Sequence, residues 1–268
     1  MTYKAIVLDL DGTLMSSKNH ILPETKEALI KAQERGVKVV LASGRPTYGM
    51  VKAAKELRLD EFGGFTLSYN GGRIICQESG DRIYDSSLTP EIAHELYDLS
   101  RELNVNIMAY EEDAIVTMDD DPWIQKEAFI NDMPIKRVED FKKAVTFNSV
   151  KCLCTGSPDF LADVEKKFQE RVGDRFSVMR SMPFFLEIMP QNINKAYSLQ
   201  KLCDHLGIDK SEMIACGDGY NDLTMIEFAG LGVAMGNAIA EVKERANYIT
   251  ASNDKNGILE VIEKFMAG

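Results

Sequence analysis

The chain has 268 residues, 45% hydrophobic and 27% charged, a balance that belongs to globular proteins with a real core and excludes disordered and fibrous classes. Its formal net charge of −11 argues against nucleic acid as a partner, because that affinity comes from Lys and Arg neutralising backbone phosphates. The same charge repels small anions, so any anion site must supply its own positive charge from a metal, a basic side chain or a helix N-terminus.

The first ten residues run directly into a strand pattern, without the basic and apolar stretches of a signal peptide. Ala5–Leu8 is an apolar run ending at Asp9, and Pro23–Gly36 follows with helical periodicity, Pro near its start and Gly at its end. Val37–Ala42 reads as a second strand, Pro46–Leu59 as a second helix and Phe65–Tyr69 as a third strand closing on Asn70-Gly71-Gly72. From 85 to 190 the pattern changes to helices at Pro90–Leu103, Trp123–Asn131 and Pro158–Arg171 among strands near Val105–Tyr110, Ala114–Met118, Val150–Thr155, Arg175–Arg180 and Phe184–Met189. That order suits an antiparallel sheet with helices on one face. The alternation then resumes: helix Lys195–Leu206, strand Met213–Cys216, helix Asp222–Ala229, strand Leu231–Met235, helix Glu241–Ala246, strand Tyr248–Thr250 and helix Gly257–Met266. Apolar strands alternating with helices predict a doubly wound α/β parallel sheet, formed by 1–84 and 191–268, with an α+β module at 85–190 inserted between hinges near 84–87 and 189–193. Five scattered cysteines read as reduced core thiols, and no apolar run approaches the roughly 18–20 residues of a spanning helix. A cytoplasmic chain without a membrane partner is expected.

Chemistry concentrates where strands end, which is where open α/β sheets bind ligands. Asp9-Leu10-Asp11-Gly12-Thr13-Leu14 follows the first strand, and Gly217-Asp218-Gly219-Tyr220-Asn221-Asp222 follows another. Either could be a turn, since Asp and Gly favour turns. Carboxylates packed together, however, need a cation or a proton, and two acidic clusters make a hard oxygen site suited to Mg²⁺. An EF-hand is excluded: counting from Asp9, its sixth and twelfth positions hold Leu14 and His20 where Gly and Glu belong. A dinucleotide loop is excluded because Asp222 stands at the third Gly position, an anion facing a pyrophosphate. Ser43-Gly44-Arg45-Pro46 reads as the anion-binding start of a helix or as a plain Ser cap. Met50 and Val51 rule out a P-loop. Lys195 opens a helix, where the dipole disfavours a cation; an exposed lysine or an anion partner would both accommodate it.

In this order, DLDGTL, SGR, a helix-initial Lys and GDGYND resemble the haloacid dehalogenase superfamily of phosphotransferases. The insertion is similar to that superfamily's type IIB cap. Asn70-Gly71-Gly72, Phe185-Leu186-Glu187-Ile188 and Gly232-Val233-Ala234-Met235-Gly236-Asn237-Ala238 resemble its Cof-type sugar phosphatases. The resemblance implies a Mg²⁺-dependent phosphatase of small phosphate monoesters. Asp9 would be the nucleophile and Asp11 the general acid and then base. Mg²⁺ would be held by Asp9, the Asp11 carbonyl and Asp218. Phosphate would be gripped by Ser43, Asn221, Lys195 and the backbone N–H groups of Leu10 and Gly44, with Asp222 and Thr13 supporting those groups. Arg45, Asn70 and Glu187 are candidate leaving-group contacts. A phosphomutase, a phospho-accepting receiver and a phosphosugar-binding protein are the alternatives. The core motifs grip only the phosphoryl group, so neither the ester nor an oligomeric state follows from them.

Overall fold

The computed structural model describes residues 3–266. The chain divides into two compact units, one running to Asp85 and resuming at Asn194, the other Ser86–Ile193.

The first unit is built on an eight-stranded sheet. Its order is Tyr248–Ile249, Leu231–Ala234, Met213–Gly217, Ala5–Leu8, Lys38–Ala42, Phe65–Ser68, Arg73–Cys76, Arg82–Asp85. The first six strands are mutually parallel and the last two form an antiparallel hairpin on the edge. Every residue of Ala5–Leu8 is fully buried. Successive strand residues face opposite sides, so both faces are covered, and unbroken aliphatic runs rather than alternating ones are what such strands require. Leu29, Ala54, Leu199, Met225 and Val261 supply the helical side of that core. From Ala5–Leu8 the sheet grows in one direction through Lys38–Ala42 and Phe65–Ser68 and in the other through Met213–Gly217 and Leu231–Ala234. The strand order therefore reverses at the first strand, where a crevice opens beyond the carboxyl ends.

The second unit holds a six-stranded sheet ordered Phe176–Met182, Phe185–Pro190, Cys152–Thr155, Asn106–Tyr110, Ile115–Thr117, Ile135–Arg137. It is antiparallel except for the last pair, which is parallel and joined by helix Pro122–Asn131. Ile107, Ala109, Cys152, Cys154, Leu186 and Ile188 share one face with Leu96, Phe141, Val164 and Phe168 of the helices. Tyr110 points the other way by alternation and donates its hydroxyl to Glu127 at 2.6 Å. One helix thus covers part of the face expected to lack helices.

Three local expectations change. The helix expected over Pro46–Leu59 is broken into a 3₁₀ turn Tyr48–Met50, a helix Val51–Glu56 and a helix Leu59–Phe62 after Arg58 in the left-handed region. The hairpin Arg73–Asp85 and the strand Ile135–Arg137 are not foreseen from the sequence, since these strands are only three or four residues long and each carries charge. The second joint falls after Ile193 rather than at 190/191, because Gln191 donates its amide back to the carbonyls of Gly173 and Asp174. The five cysteines are free, and no helix among the described residues is long and apolar enough to cross a membrane.

Candidate active site

Five neighbouring strand ends of the first unit converge. Asp9 follows the first strand, Ser43 to Arg45 follow Lys38–Ala42, Asn70 follows Phe65–Ser68, Asp218 to Asp222 follow Met213–Gly217, and Asn237 follows Leu231–Ala234. Asp9 N–H still donates to the Cys216 carbonyl at 3.1 Å, so the last rung of the ladder sets the first acidic loop against the second.

Lys195 is the hub. It is the first residue of helix Lys195–Leu206, which Asn194 caps by accepting the Tyr197 N–H, and it is completely buried. Its ammonium donates to Asp9 Oδ1 at 2.7 Å, Asp222 Oδ1 at 2.6 Å and the Ala42 carbonyl at 2.8 Å, which uses all three of its protons. Asp222 is filled on its other side, Oδ2 accepting the backbone N–H groups of Asp218 and Gly219 at 2.9 and 3.0 Å. Thr13, buried, donates to Asp218 Oδ1 at 3.1 Å. Gly12 has φ +84°, and a Cβ there would lie 2.3 Å from Asp218 Oδ2. Only glycine permits both that backbone and that approach.

Asp9, Asp218 and Asp222 bring carboxylate oxygens within 4.8 Å of one another, close enough to hold a metal ion together. Three carboxylates against one ammonium leave two negative charges in a buried place. Burial raises Asp9 against the pull of Lys195 and pushes Asp218 up to about 6, with Asp222 adding to the effect. Burial alone would lower Lys195, but Asp9 and Asp222 outweigh it and hold the ammonium above its ordinary value. Among the described residues neither Asp9 Oδ2 nor Asp218 Oδ2 receives a protein donor. Hard oxygens with open lone pairs and surplus negative charge fit a divalent cation.

Asp11 and Arg45 face each other, Nε to Oδ2 at 2.8 Å and Nη2 to Oδ1 at 2.5 Å, with Asp11 exposed. The helix start expected at Ser43-Gly44-Arg45-Pro46 is absent. The Ser43 carbonyl accepts Asn70 N–H and the Arg45 carbonyl accepts Tyr69 N–H, so neither is available to a helical turn. Ser43 Oγ instead accepts Arg45 N–H at 3.1 Å. Any anion affinity of this loop therefore comes from its own N–H groups and side chains rather than a helix dipole. Asn221 donates to Asn70 Oδ1 at 3.1 Å. Leu10 is buried and stays within its loop, its carbonyl accepting Met15 N–H. Glu187 belongs to the other unit, where it is buried and ion-paired to Lys151 at 2.7 Å.

Asn237 carries no assigned role in the sequence reading. Its Nδ2 donates to the Gly12 carbonyl at 2.7 Å, and its Oδ1 accepts Asn253 N–H. The available signal was its position after a fifth strand end.

Residues 6–262 match the haloacid dehalogenase-like hydrolase family. A crystal structure of a haloacid dehalogenase-like hydrolase from Bacteroides thetaiotaomicron is 50% identical, covers 98% of this chain and 99% of its own, and superposes with a TM-score of 0.93. The subclass IIB sugar phosphatase BT4131 is 26% identical with 98% of both chains covered and a TM-score of 0.78. The 5-amino-6-(5-phospho-D-ribitylamino)uracil phosphatase YwtE of Bacillus subtilis (strain 168) is 30% identical over 99% of each chain.

Proposed function

The chain belongs to the haloacid dehalogenase-like hydrolase family as an enzyme of its phosphatase type, and from that premise we propose a Mg²⁺-dependent phosphatase of small phosphate monoesters working through an aspartyl-phosphate on Asp9. The observation that carries this reading is the Asp9–Lys195–Asp222 array with Asp218 beside it. Phosphoryl transfer has little bond chemistry for a protein to supply and much charge to neutralise. Asp9, Asp218 and the Asp11 carbonyl would hold Mg²⁺, whose charge, when bound, offsets that of the phosphate and its attacker. Lys195 keeps Asp9 Oδ1 fixed and leaves Oδ2 as the attacking oxygen. Asp222 orients Lys195 rather than touching phosphate.

Asp11 is exposed at the mouth of the same loop, where a carboxyl can hand a proton to a departing alkoxide and then take one from water. Arg45 now holds it, which supports a role for Arg45 in aiming Asp11 at least as well as one in touching the leaving group. Ser43, Asn221, and the N–H groups of Leu10 and Gly44 are the proposed phosphate ligands. Selection among leaving groups, sugar phosphates foremost, falls to the unit Ser86–Ile193, with Glu187 a candidate contact. The free cysteines suit a reducing cytoplasm.

The experiment is phosphate release from a panel of monoesters with Mg²⁺, with EDTA and with Asp9→Asn. Turnover that needs the metal and vanishes in Asp9→Asn is expected; release by Asp9→Asn at the native rate would remove Asp9 as the nucleophile.

A further inference from the structure

We infer that Asn70 is a positioning residue for phosphoryl transfer, acting through Asn221, rather than a contact for the leaving group. The inference rests on the reading of Asn221 as a phosphate ligand.

After Phe65–Ser68 the chain passes through positive φ at three successive residues, Tyr69 at 54°, Asn70 at 55° and Gly71 at 107°. Asn tolerates this region and Tyr does not, so the surroundings must enforce the turn. Three segments do so. The loop after the second strand accepts its N–H groups, Asn70 to the Ser43 carbonyl at 2.9 Å and Tyr69 to the Arg45 carbonyl at 3.0 Å. The helix that begins with Lys195 accepts no slack either: Ser198 Oγ donates to the Gly71 carbonyl at 2.5 Å, and a Cβ at Gly71 would lie 2.6 Å from the Asn194 carbonyl oxygen. The third segment is the acidic loop, whose Asn221 donates Nδ2 to Asn70 Oδ1 at 3.1 Å. The Asn70 carboxamide also packs on Gly44, where an added Cβ would lie 3.1 Å from Nδ2 and 3.2 Å from Oδ1.

A carboxamide has two N–H donors on one side and an acceptor on the other. By accepting from Asn221, Asn70 Oδ1 requires Asn221 to present its NH₂ end. The second N–H of that group is then left for a phosphoryl oxygen, and the carbonyl, which would repel one, is turned away. Asn70 thereby sets the polarity of a neighbour that touches substrate while its own backbone ties the Ser43–Arg45 loop to the start of the Lys195 helix.

A double-mutant cycle on the full chain with Mg²⁺ tests this, with kcat and KM for p-nitrophenyl phosphate as the readout. Asn70→Gly keeps the left-handed turn and deletes only the carboxamide, and unfolding midpoints report that the fold is retained. Asn70→Gly and Asn221→Ala are each expected to lower kcat/KM roughly ten- to a hundred-fold, and the pair should be no worse than the poorer single by more than about threefold. Asn70→Ala, which also removes the acceptor oxygen, is paired with Asn221→Ala in the same way and decides the matter if the glycine variant does not fold, multiplicative losses there again overturning the inference. Multiplicative losses in the Asn70→Gly pair would overturn the inference and leave Asn221 a phosphate ligand. A silent Asn70→Gly would overturn it likewise. A silent Asn221→Ala would remove the phosphate role of Asn221 and this inference together.

Discussion

Among the described residues two lysines are buried against carboxylates, one in each unit, and they are built differently. Lys151 meets the Glu187 carboxylate at 2.7 Å and lies 5.1 Å from the centre of the Tyr110 ring. Lys195 meets two, with a third carboxylate at hand, and two of the gathered oxygens remain open. Taking charge out of water is costly in both places, and a well-made pair returns only part of the cost. The first arrangement sets one ammonium directly on one carboxylate within the sheet. The second is left short of positive charge, which is what a site for a cation and an anionic substrate needs. Surplus charge with open lone pairs, more than burial, separates the candidate site cluster from the simple ion pair.

The comparison breaks most visibly if both lysines are removed in turn. Lys195→Met should abolish turnover, a loss of at least ~10³-fold, because Asp9 loses its partner. The double change Lys151→Met with Glu187→Leu should keep p-nitrophenyl phosphate turnover within about threefold and leave stability within ~1–2 kcal/mol, as replacing whole buried pairs by apolar groups generally does. Steady-state kinetics and denaturant melts read both; equal losses of activity would erase the distinction.

A smaller effect comes from pH. Asp218 is raised to about 6 by burial, so the folded, metal-free protein loses stability as pH climbs from near the ordinary carboxylate value through 6, and is relieved of that cost in acid. A metal needs the deprotonated form. Saturating Mg²⁺ should therefore raise the unfolding midpoint by about 5 °C or more at pH 8 and by distinctly less at pH 5; a shift independent of pH would count against Asp218 as a ligand. The smallest effect belongs to the exposed Arg45–Asp11 pair. Arg45→Ala should change stability by less than ~1 kcal/mol in a chemical denaturation series.

What the sequence makes legible follows the same physics. Asp9, Asp11, Asp218 and Lys195 stand out because each is costly where it sits: carboxylates crowded at strand ends, a cation at a helix start. The helix start expected at Ser43 to Pro46 fails because the Ser43 and Arg45 carbonyls are claimed by Asn70 and Tyr69, more than a strand away in sequence. Glu187 is visible but its partner Lys151, across the sheet, is not. Asn237 escapes because its bond to Gly12 spans 225 residues and an Asn after a strand is ordinarily just a turn. Local cost is readable along the chain, whereas satisfaction by a distant partner is not.

The reversal of strand order at Ala5–Leu8 also has a consequence for biosynthesis. Asp9 and Lys195 are separated by 186 residues, so at ~5–20 residues per second the ribosome needs roughly 10–40 s to follow Asp9 with Lys195. During that interval Ala5–Leu8 lacks one of its two neighbours in the sheet, while Ser86–Ile193 can complete its own core. On the proposed mechanism the enzyme stays inert until nearly the whole chain is made, and the appearance of activity would time the docking of its last parallel strands.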